Sequence, residues 1–441
     1  MAAKISLCIL TQLIFLISLQ GGPILAQDGP SGEPAQEDQA ISGQQPISDA
    51  AYQMPTSGRS LKDSVVMNSR NKVGFSLGLF GLYDRTILES EPVSDTDTRE
   101  MLVLPTVFIN LGRRKTQFHV DYSLEQRFFS DATNLGDLTF HTGNVSFVSM
   151  PNRHWTFIAT DEVRSAPSDL LSLSGGFSPG LPIENPIGPG ISGYSYERVF
   201  MNRGAAQLNY SPDRKTSIGF QGNSQVFRYE TSGVNDTDAF NVGTNFERKL
   251  SRRYDMNIDF MYGRYETASG VRQDELKRLS GGLGYQISKK WRLFGNGGVE
   301  WVDTPGHSYI PSYFSAAIGR TTDLSIFSIS YTKAAQYQLG TPQLNNTHTI
   351  SLSFDQRLTS KSSLTLGAYY YRTEPYAEHV LQNTFISGAG FKYLLFRYIM
   401  ASISGNYEYQ DRAFNLDNSV PLKRLEIYAG IEIILPGVSR H

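Results

Sequence analysis

The sequence predicts an all-β fold: a single transmembrane antiparallel up-and-down β-barrel of about 18 strands, with short periplasmic turns and longer extracellular loops. Three observations lead to this prediction. Apolar and polar residues alternate through repeated runs of about 10–14 residues each. Short and long connections alternate between these runs. The chain also begins with a short charged start and then an apolar run.

The strands are predicted from a period of two. In TQFHVDYSLEQRF (116–128), apolar residues occupy every second position, and charged or polar residues lie between them. The same alternation occurs in YDMNIDFMYG (254–263), THTISLSFDQR (347–357) and RLEIYAGIEIIL (424–435). The pattern places strands, among others, at about 99–111, 155–164, 311–320 and 323–333.

The connections fall into two classes. Short charged turns such as SPDRK (211–215) and SKK (288–290) alternate with long connections such as 165–196. Aromatic residues lie near the short turns, as Trp155 and Trp291 do, and would form a girdle at one membrane boundary. Both features are typical of outer-membrane barrels. A soluble β-sandwich or solenoid would share only the alternation of apolar and polar residues along each strand.

Three regions are predicted along the chain. Residues 1–26 resemble a secretory signal peptide, with a membrane anchor as the alternative. Residues 27–70 are rich in Gln, Pro, Ser, Gly and acids, which predicts a flexible periplasmic leader. Residues 71–441 have uniform composition and would form the outer-membrane β-barrel.

Composition excludes several functions. The one cysteine, Cys8, lies in the predicted signal peptide, so the mature barrel would have neither disulfides nor cysteine-ligated metal. A formal net charge of −2 gives no basic surface for nucleic acid. His119 and Asp121 share one strand face, but no metal-ligand cluster, phosphate loop or nucleophile motif accompanies them. We therefore expect no enzyme activity and no cofactor.

The polar face of the predicted strands would face the lumen. Its charged residues are the pore-lining candidates: Asp121, Glu125, Arg127, Arg203, Glu247, Asp259, Arg278, Arg292, Glu300, Asp355, Arg357, Lys392, Glu408, Arg424, Glu426 and Glu432. A lining of mixed charge suits a hydrated path for polar solutes. The alternative is that these charges pair between neighbouring strands and only brace the wall.

The connection 165–196 is unusually long and combines Gly, Pro and Ser with apolar residues. Long loops within compact folds are usually functional or disordered. We expect it to constrict or plug the lumen, with an external cap as the alternative. The constriction candidates are Leu173, Phe177, Leu181, Ile183 and Ile187.

The signal segment, the acidic leader, the strands over 71–441 and turns such as SPDRKTSIGF (211–220) resemble the outer-membrane β-barrel porins associated with bacterial exopolysaccharide export. The resemblance implies a conduit for exopolysaccharide secretion in the bacterial outer membrane, with periplasmic export components as partners. A general diffusion porin for small polar solutes is the alternative, and an outer-membrane enzyme or surface-interaction barrel comes third. The sequence does not give the oligomeric state.

Overall fold

The structure is a computed structural model that describes residues 72–88, 94–113, 115–129, 138–167, 187–188, 198–229, 236–267, 273–338, 344–376, 382–411 and 421–435. The predicted signal peptide (1–26) and leader (27–70) lie outside the described residues and stay predictions. In the part of the chain that is described, no helix is long and apolar enough to cross a membrane.

The described residues form 20 strands in one sheet. They are β1 Lys72–Leu88, β2 Ser94–Arg113, β3 Thr116–Phe129, β4 Leu138–Ser149, β5 Trp155–Pro167, β6 Ile187–Gly188, β7 Arg198–Tyr210, β8 Thr216–Tyr229, β9 Thr237–Lys249, β10 Tyr254–Thr267, β11 Gln273–Gln286, β12 Trp291–Thr304, β13 His307–Tyr309, β14 Ser312–Thr321, β15 Ser325–Gln338, β16 Leu344–Arg357, β17 Ser362–Pro375, β18 Gln382–Phe396, β19 Ile399–Gln410 and β20 Leu422–Leu435. β6 and β13 are short pieces, and the other 18 strands form the wall.

The wall is a closed barrel. Each wall strand pairs antiparallel with its neighbours along the chain, and β1 pairs with β20 from Phe75↔Leu435 to Leu88↔Leu422. Closure leaves neither the first nor the last strand with an unpaired edge. The predicted antiparallel up-and-down barrel of about 18 strands is therefore confirmed.

The two faces of the wall differ in chemistry. Large apolar side chains are exposed on the outside; Leu283 is 61 % and Leu79 is 47 % exposed. Residues of opposite parity point inwards, and many of them are polar and buried, such as Glu300 and Glu426. An exposed apolar surface that surrounds the whole molecule is what a bilayer requires of a barrel.

Aromatic rings lie on the outer face beside the short turns. Trp155 packs on Tyr210 with ring centroids 4.6 Å apart, and Tyr254 stacks on Tyr285 at 4.9 Å. Neighbouring strands supply the two members of each pair, so the rings form part of a girdle at this end of the barrel.

Several wall strands extend beyond the predicted bounds on the side of the long connections. β2 starts at Ser94 instead of about 99, and β15 continues to Gln338 instead of about 333. Alternation identifies only the part of a strand that has an apolar face. Backbone pairing continues past that belt, where apolar and polar residues no longer alternate, so the pattern predicts strands that are too short.

The repeated short turn has a common hydrogen-bond pattern. Asp213 in SPDRK accepts from the backbone N–H groups of Lys215 (2.6 Å) and Thr216 (2.7 Å). The same pattern of a side-chain oxygen accepting from N–H groups two and three residues later is made by Asn152, Ser251, Ser288 and Thr322. These are Asx- and Ser/Thr-type turns, so the position needs a short polar side chain.

We expect Asp213→Ala to lower the urea midpoint of unfolding near pH 7. The donated hydrogen bonds from Lys215 and Thr216 lower the pKa of the Asp213 carboxyl. Its stabilising contribution is thus complete above the unfolded carboxyl pKa of about 3.9 and is lost as pH falls through the lower folded value. The midpoint difference between wild type and variant should shrink in acid. The control is Asp323→Ala, in a turn where Thr322 is the acceptor; a variant difference that stays constant at low pH would contradict the prediction.

Candidate functional site: the inner wall of the barrel

All pore-lining candidates lie on the inward face of their strands. Register shows this directly: Arg278 pairs with Glu300, Glu247 with Asn257, and Glu408 with Arg424, each on the face opposite to the exposed apolar residues. Arg357 lies at the turn end of β16, where it is exposed and donates to the Thr359 carbonyl at 3.3 Å. Whether these residues contact a permeating solute stays a prediction.

An ion-pair network joins the first and last strands. Arg424 on β20 donates to Asp84 on β1 at 2.6 Å and lies 3.0 Å from Glu426. All three side chains are at most 13 % exposed. The contacts span 340 positions of sequence and lie at the strand pair that closes the barrel.

Arg127 makes a second network two strands further along. Its guanidinium is 3.1 Å from Glu100 on β2 and 2.6 Å from Glu125 on its own strand. It also lies 5.3 Å from the centre of the Phe140 ring. Arg127 is thus held against the wall by two carboxylates and a ring face.

The third network surrounds Glu300, which is fully buried. Arg278 donates to it at 2.7 Å, and the backbone N–H of Ala335 donates to it at 2.8 Å. Arg278 also stacks 4.3 Å from the centre of the Tyr313 ring. One carboxylate therefore connects β12 to β11 and to β15, which is two wall strands away.

Two further inward groups of ion pairs lie elsewhere on the wall. Glu162 is 3.3 Å from Arg164 and 3.9 Å from Arg203, and Arg292 pairs with Asp255. Many of the inner charges therefore form ion pairs between strands and brace the wall. Of these paired groups, Glu125 stays 28 % exposed, whereas Glu300 is fully buried.

Several inward charged residues were missing from the candidates: Asp84, Glu100, Glu162, Arg164, Lys249, Asp255 and Asp274. Asp255 has the same parity as Asp259 in the run 254–263, so the alternation could have identified it. Glu100 lies near the start of its predicted strand, where face assignment from a few residues is weak. In the structure Glu100 points inwards. It has the parity of Leu102, the register partner of the inward Arg127, and its carboxylate is 3.1 Å from the Arg127 guanidinium.

Carboxylates outnumber basic groups on the described inner wall, fourteen to nine. The acids are Asp84, Glu100, Asp121, Glu125, Glu162, Glu247, Asp255, Asp259, Asp274, Glu300, Asp355, Glu408, Glu426 and Glu432. The bases are Arg127, Arg164, Arg203, Lys249, Arg278, Arg292, Arg357, Lys392 and Arg424. The described inner wall therefore has an excess of acidic groups, and ionised carboxylates attract cations.

The inward face changes character near the long connections. Here a cluster of buried apolar residues, which we call the outer apolar band, comprises Phe140, Val199, Met201, Phe227, Ala239, Tyr265, Leu276, Val302, Ala335 and Leu344. By register the first eight point inwards, whereas Ala335 and Leu344 have the parity of the outward Ile329 and Ile350. Tyr309 and Tyr376 pack against the band, and their rings stack 4.9 Å apart although β12–β13 and β17 are not neighbours in the wall. The residues of the band are 0–3 % exposed, so they do not contact open solvent. Inward polar residues at other levels, such as Asn245 and Asn296, are equally buried.

The wall has a notch beside the outer part of β15. β14 is only 10 residues long, and its pairing with β15 ends at Phe314↔Lys333. Beyond that point, Tyr337 and Gln338 pair in parallel with Ile187 and Gly188 of the long connection. The backbone of Ile187 is thus placed at the wall. The other constriction candidates, Leu173, Phe177, Leu181 and Ile183, lie outside the described residues.

The described residues hold no group of three or more His, Cys, Asp or Glu side chains arranged to bind a metal ion. His119 lies 3.3 Å from Asp121 and forms a hydrogen bond with Asn110 at 2.5 Å. The expectation of no enzyme activity stays a prediction.

Comparison with known proteins gives likeness of architecture only. No family model matches the chain, and no curated protein sequence matches it. Acinetobacter baumannii OccAB4 is 6 % identical, with 83 % of this chain and 100 % of that chain covered at a TM-score of 0.44. The outer membrane protein OprD of Pseudomonas aeruginosa is 11 % identical, with 84 % and 95 % covered at 0.41. A BenF-like porin of Pseudomonas fluorescens Pf-5 is 10 % identical, with 82 % and 99 % covered at 0.44. The fold assignment rests on this chain's own strand pairing.

Proposed function

We propose that this protein is a pore in the bacterial outer membrane through which small polar solutes diffuse. The observation that supports it is the closed 18-strand wall with an apolar outer face and charged residues inside. A closed barrel satisfies all strand edges within the bilayer, and a wall of this size encloses enough space for an aqueous lumen. The acidic excess inside predicts a preference for cations.

Ion selectivity tests this proposal in a planar bilayer with a KCl gradient. We expect the reversal potential to show that K⁺ is more permeable than Cl⁻, because the inner wall attracts cations. Asp355→Asn, on the inward face of β16, should reduce the preference; Asp303→Asn, on the outward face of β12, should leave it unchanged. A preference for Cl⁻, or equal effects of the two variants, would contradict the proposed lining.

We also propose that the connection 165–196 narrows the pore. Strands about 4.8 Å apart and tilted by about 40° give an 18-strand wall a diameter of about 36 Å. Ile187–Gly188 takes the place that a longer β14 would hold, six strands from β7. The straight path to β7 is then about 31 Å and the path round the rim about 38 Å, whereas the ten residue steps from Gly188 to Arg198 reach at most about 33–36 Å. A direct crossing of the barrel mouth is the shorter of the two paths and lies within this reach.

A conduit for a secreted polysaccharide is the second candidate. The observation that favours it is a pair of inward rings on β17, Tyr369 and Tyr371, whose centroids are 6.2 Å apart at an interplanar angle of 12°. The face of a tyrosine ring can pack against a sugar ring. An acidic oligosaccharide that blocks wild-type current, but not that of a Tyr369→Ala/Tyr371→Ala variant, would support this candidate. Equal block of both proteins would contradict the polysaccharide conduit. It would also remove the reason to expect periplasmic export components as partners.

A further inference from the structure

An acidic side chain points outwards at the centre of β5. Asp161 has the same parity as Trp155 and Phe157, which pack on the outward rings of Tyr210 and Phe147. Its neighbour Glu162 pairs inside with Arg203. Asp161 therefore lies on the face that, in the proposed pore, meets the membrane.

Its depth is that of the bilayer centre. Asp161 is the seventh of the 13 residues of β5, six positions from Trp155 in the girdle. Six residues span about 20 Å of strand, or about 15 Å of depth at the usual tilt, within an apolar belt about 25 Å tall. The outward residues at the centres of the described wall strands are otherwise apolar, small or tyrosine, apart from Lys333 on β15, and Asp161 alone among them has a carboxylate.

One hydrogen-bond donor is next to it. Asn202 on β7 donates from Nδ2 to Asp161 Oδ1 at 3.1 Å. An ionised carboxylate can accept about four hydrogen bonds. Within the described part of the chain, Asp161 accepts one, the hydrogen bond from Asn202. Exposure of such a group to lipid is unfavourable, and ionisable residues in membrane segments usually face protein or water.

The outward residues around Asp161 and Asn202 have small side chains. Ala159, Ala206 and Gly222 pair across three neighbouring strands, and Gly204 and Ser224 lie beside them in register with Asp161. Small residues let two membrane surfaces approach closely. Small residues also occur elsewhere on this wall, so it is the Asp161–Asn202 pair that distinguishes this face.

We propose that the outward face of β5, β7 and β8 is the site at which a second copy of this chain docks, related by a two-fold axis along the membrane normal. Copies in one membrane share an orientation, so such an axis brings the β5 side of one copy to the β7 side of the other. The acceptor Asp161 would then meet the partner's amide donor from Asn202 at the same depth, twice per dimer. This self-complementarity favours a second copy over a different protein. The inference rests on the membrane location in the proposed function.

The test is cross-linking in reconstituted bilayers. In a Cys8→Ser background, Ala206→Cys should give a species of dimer mass with a short bifunctional thiol reagent. Ala368→Cys is the matched control, because it is outward and central in β17 on the far side of the barrel. Adding Asp161→Leu to Ala206→Cys should reduce the yield at least severalfold while the barrel stays folded, since leucine is favourable in lipid. Tryptophan fluorescence provides the check on folding.

Several results would overturn the interface: equal yields for Ala206→Cys and Ala368→Cys, an unchanged yield with Asp161→Leu, or a trimer mass. The pore and the interface can fail separately. A protein that conducts but remains monomeric overturns the interface only, whereas a folded dimer that does not conduct supports the interface and overturns the pore.

Discussion

Replacing residues 168–197 with Asn-Gly should raise single-channel conductance severalfold. Pro167 and Arg198 are direct partners at the outer ends of β5 and β7, so a two-residue hairpin turn can join them without altering the wall. The change removes Ile187 and Gly188 from the edge of β15 and removes the segments on either side of them. The outer apolar band, whose members are 0–3 % exposed, should then become accessible to water.

The matched control shortens a different long connection. Glu266 and Gln273 are partners at the outer ends of β10 and β11, so residues 267–272 can likewise be replaced by Asn-Gly. We expect this variant to conduct like wild type. If deletion of 168–197 also leaves the conductance unchanged while the barrel stays folded, the connection is an external cap and not a constriction.

The faces of the strands were predictable because a strand has a strict period of two. In β10, Ile258 is 46 % exposed and Asp259 is buried, as the alternation alone indicates. The short turns were predictable for an equally local reason, since a polar side chain two or three residues before the next strand supplies the acceptor. Fold class follows from such local features when they repeat often enough.

The partners of the inner charges were not predictable. Arg424 pairs with Asp84 only because the last strand returns to the first, 340 positions away. Ala335 donates to Glu300 only because β14 is short and leaves the outer part of β15 without its wall neighbour. Both contacts depend on register and strand length, which alternation leaves open by several residues.

Asp161 shows a different limit. In WTFIATDEVR (155–164), its parity puts it with Trp155 and Phe157, so its outward position follows from the sequence. A carboxylate on an apolar face departs from the alternation that identifies the face, so alternation alone does not mark Asp161 as a functional residue. Departures from local sequence rules are expected at functional sites, and a carboxylate on the apolar face of β5 is such a departure.

Arg278→Met should destabilise the folded barrel by about 3–5 kcal/mol, because it leaves the buried Glu300 carboxylate without its cation. The side chains of Arg278 and Glu300 are 8 % and 0 % exposed, so water cannot replace the lost partner. The Ala335 N–H would remain as a donor to Glu300, but a neutral donor does not balance a buried charge. Urea unfolding of the refolded protein in detergent micelles, followed by tryptophan fluorescence, measures the change.

The double variant Arg278→Met/Glu300→Gln separates lost charge balance from lost packing. Glutamine keeps an oxygen for the Ala335 N–H, and methionine keeps apolar contact with the Tyr313 ring. Removing both charges together avoids an uncompensated ion, so most of the stability should return. If the double variant is as unstable as Arg278→Met, the loss comes from the stacking of Arg278 on Tyr313. The ion pair is then not what joins β11, β12 and β15 at the outer end of the barrel.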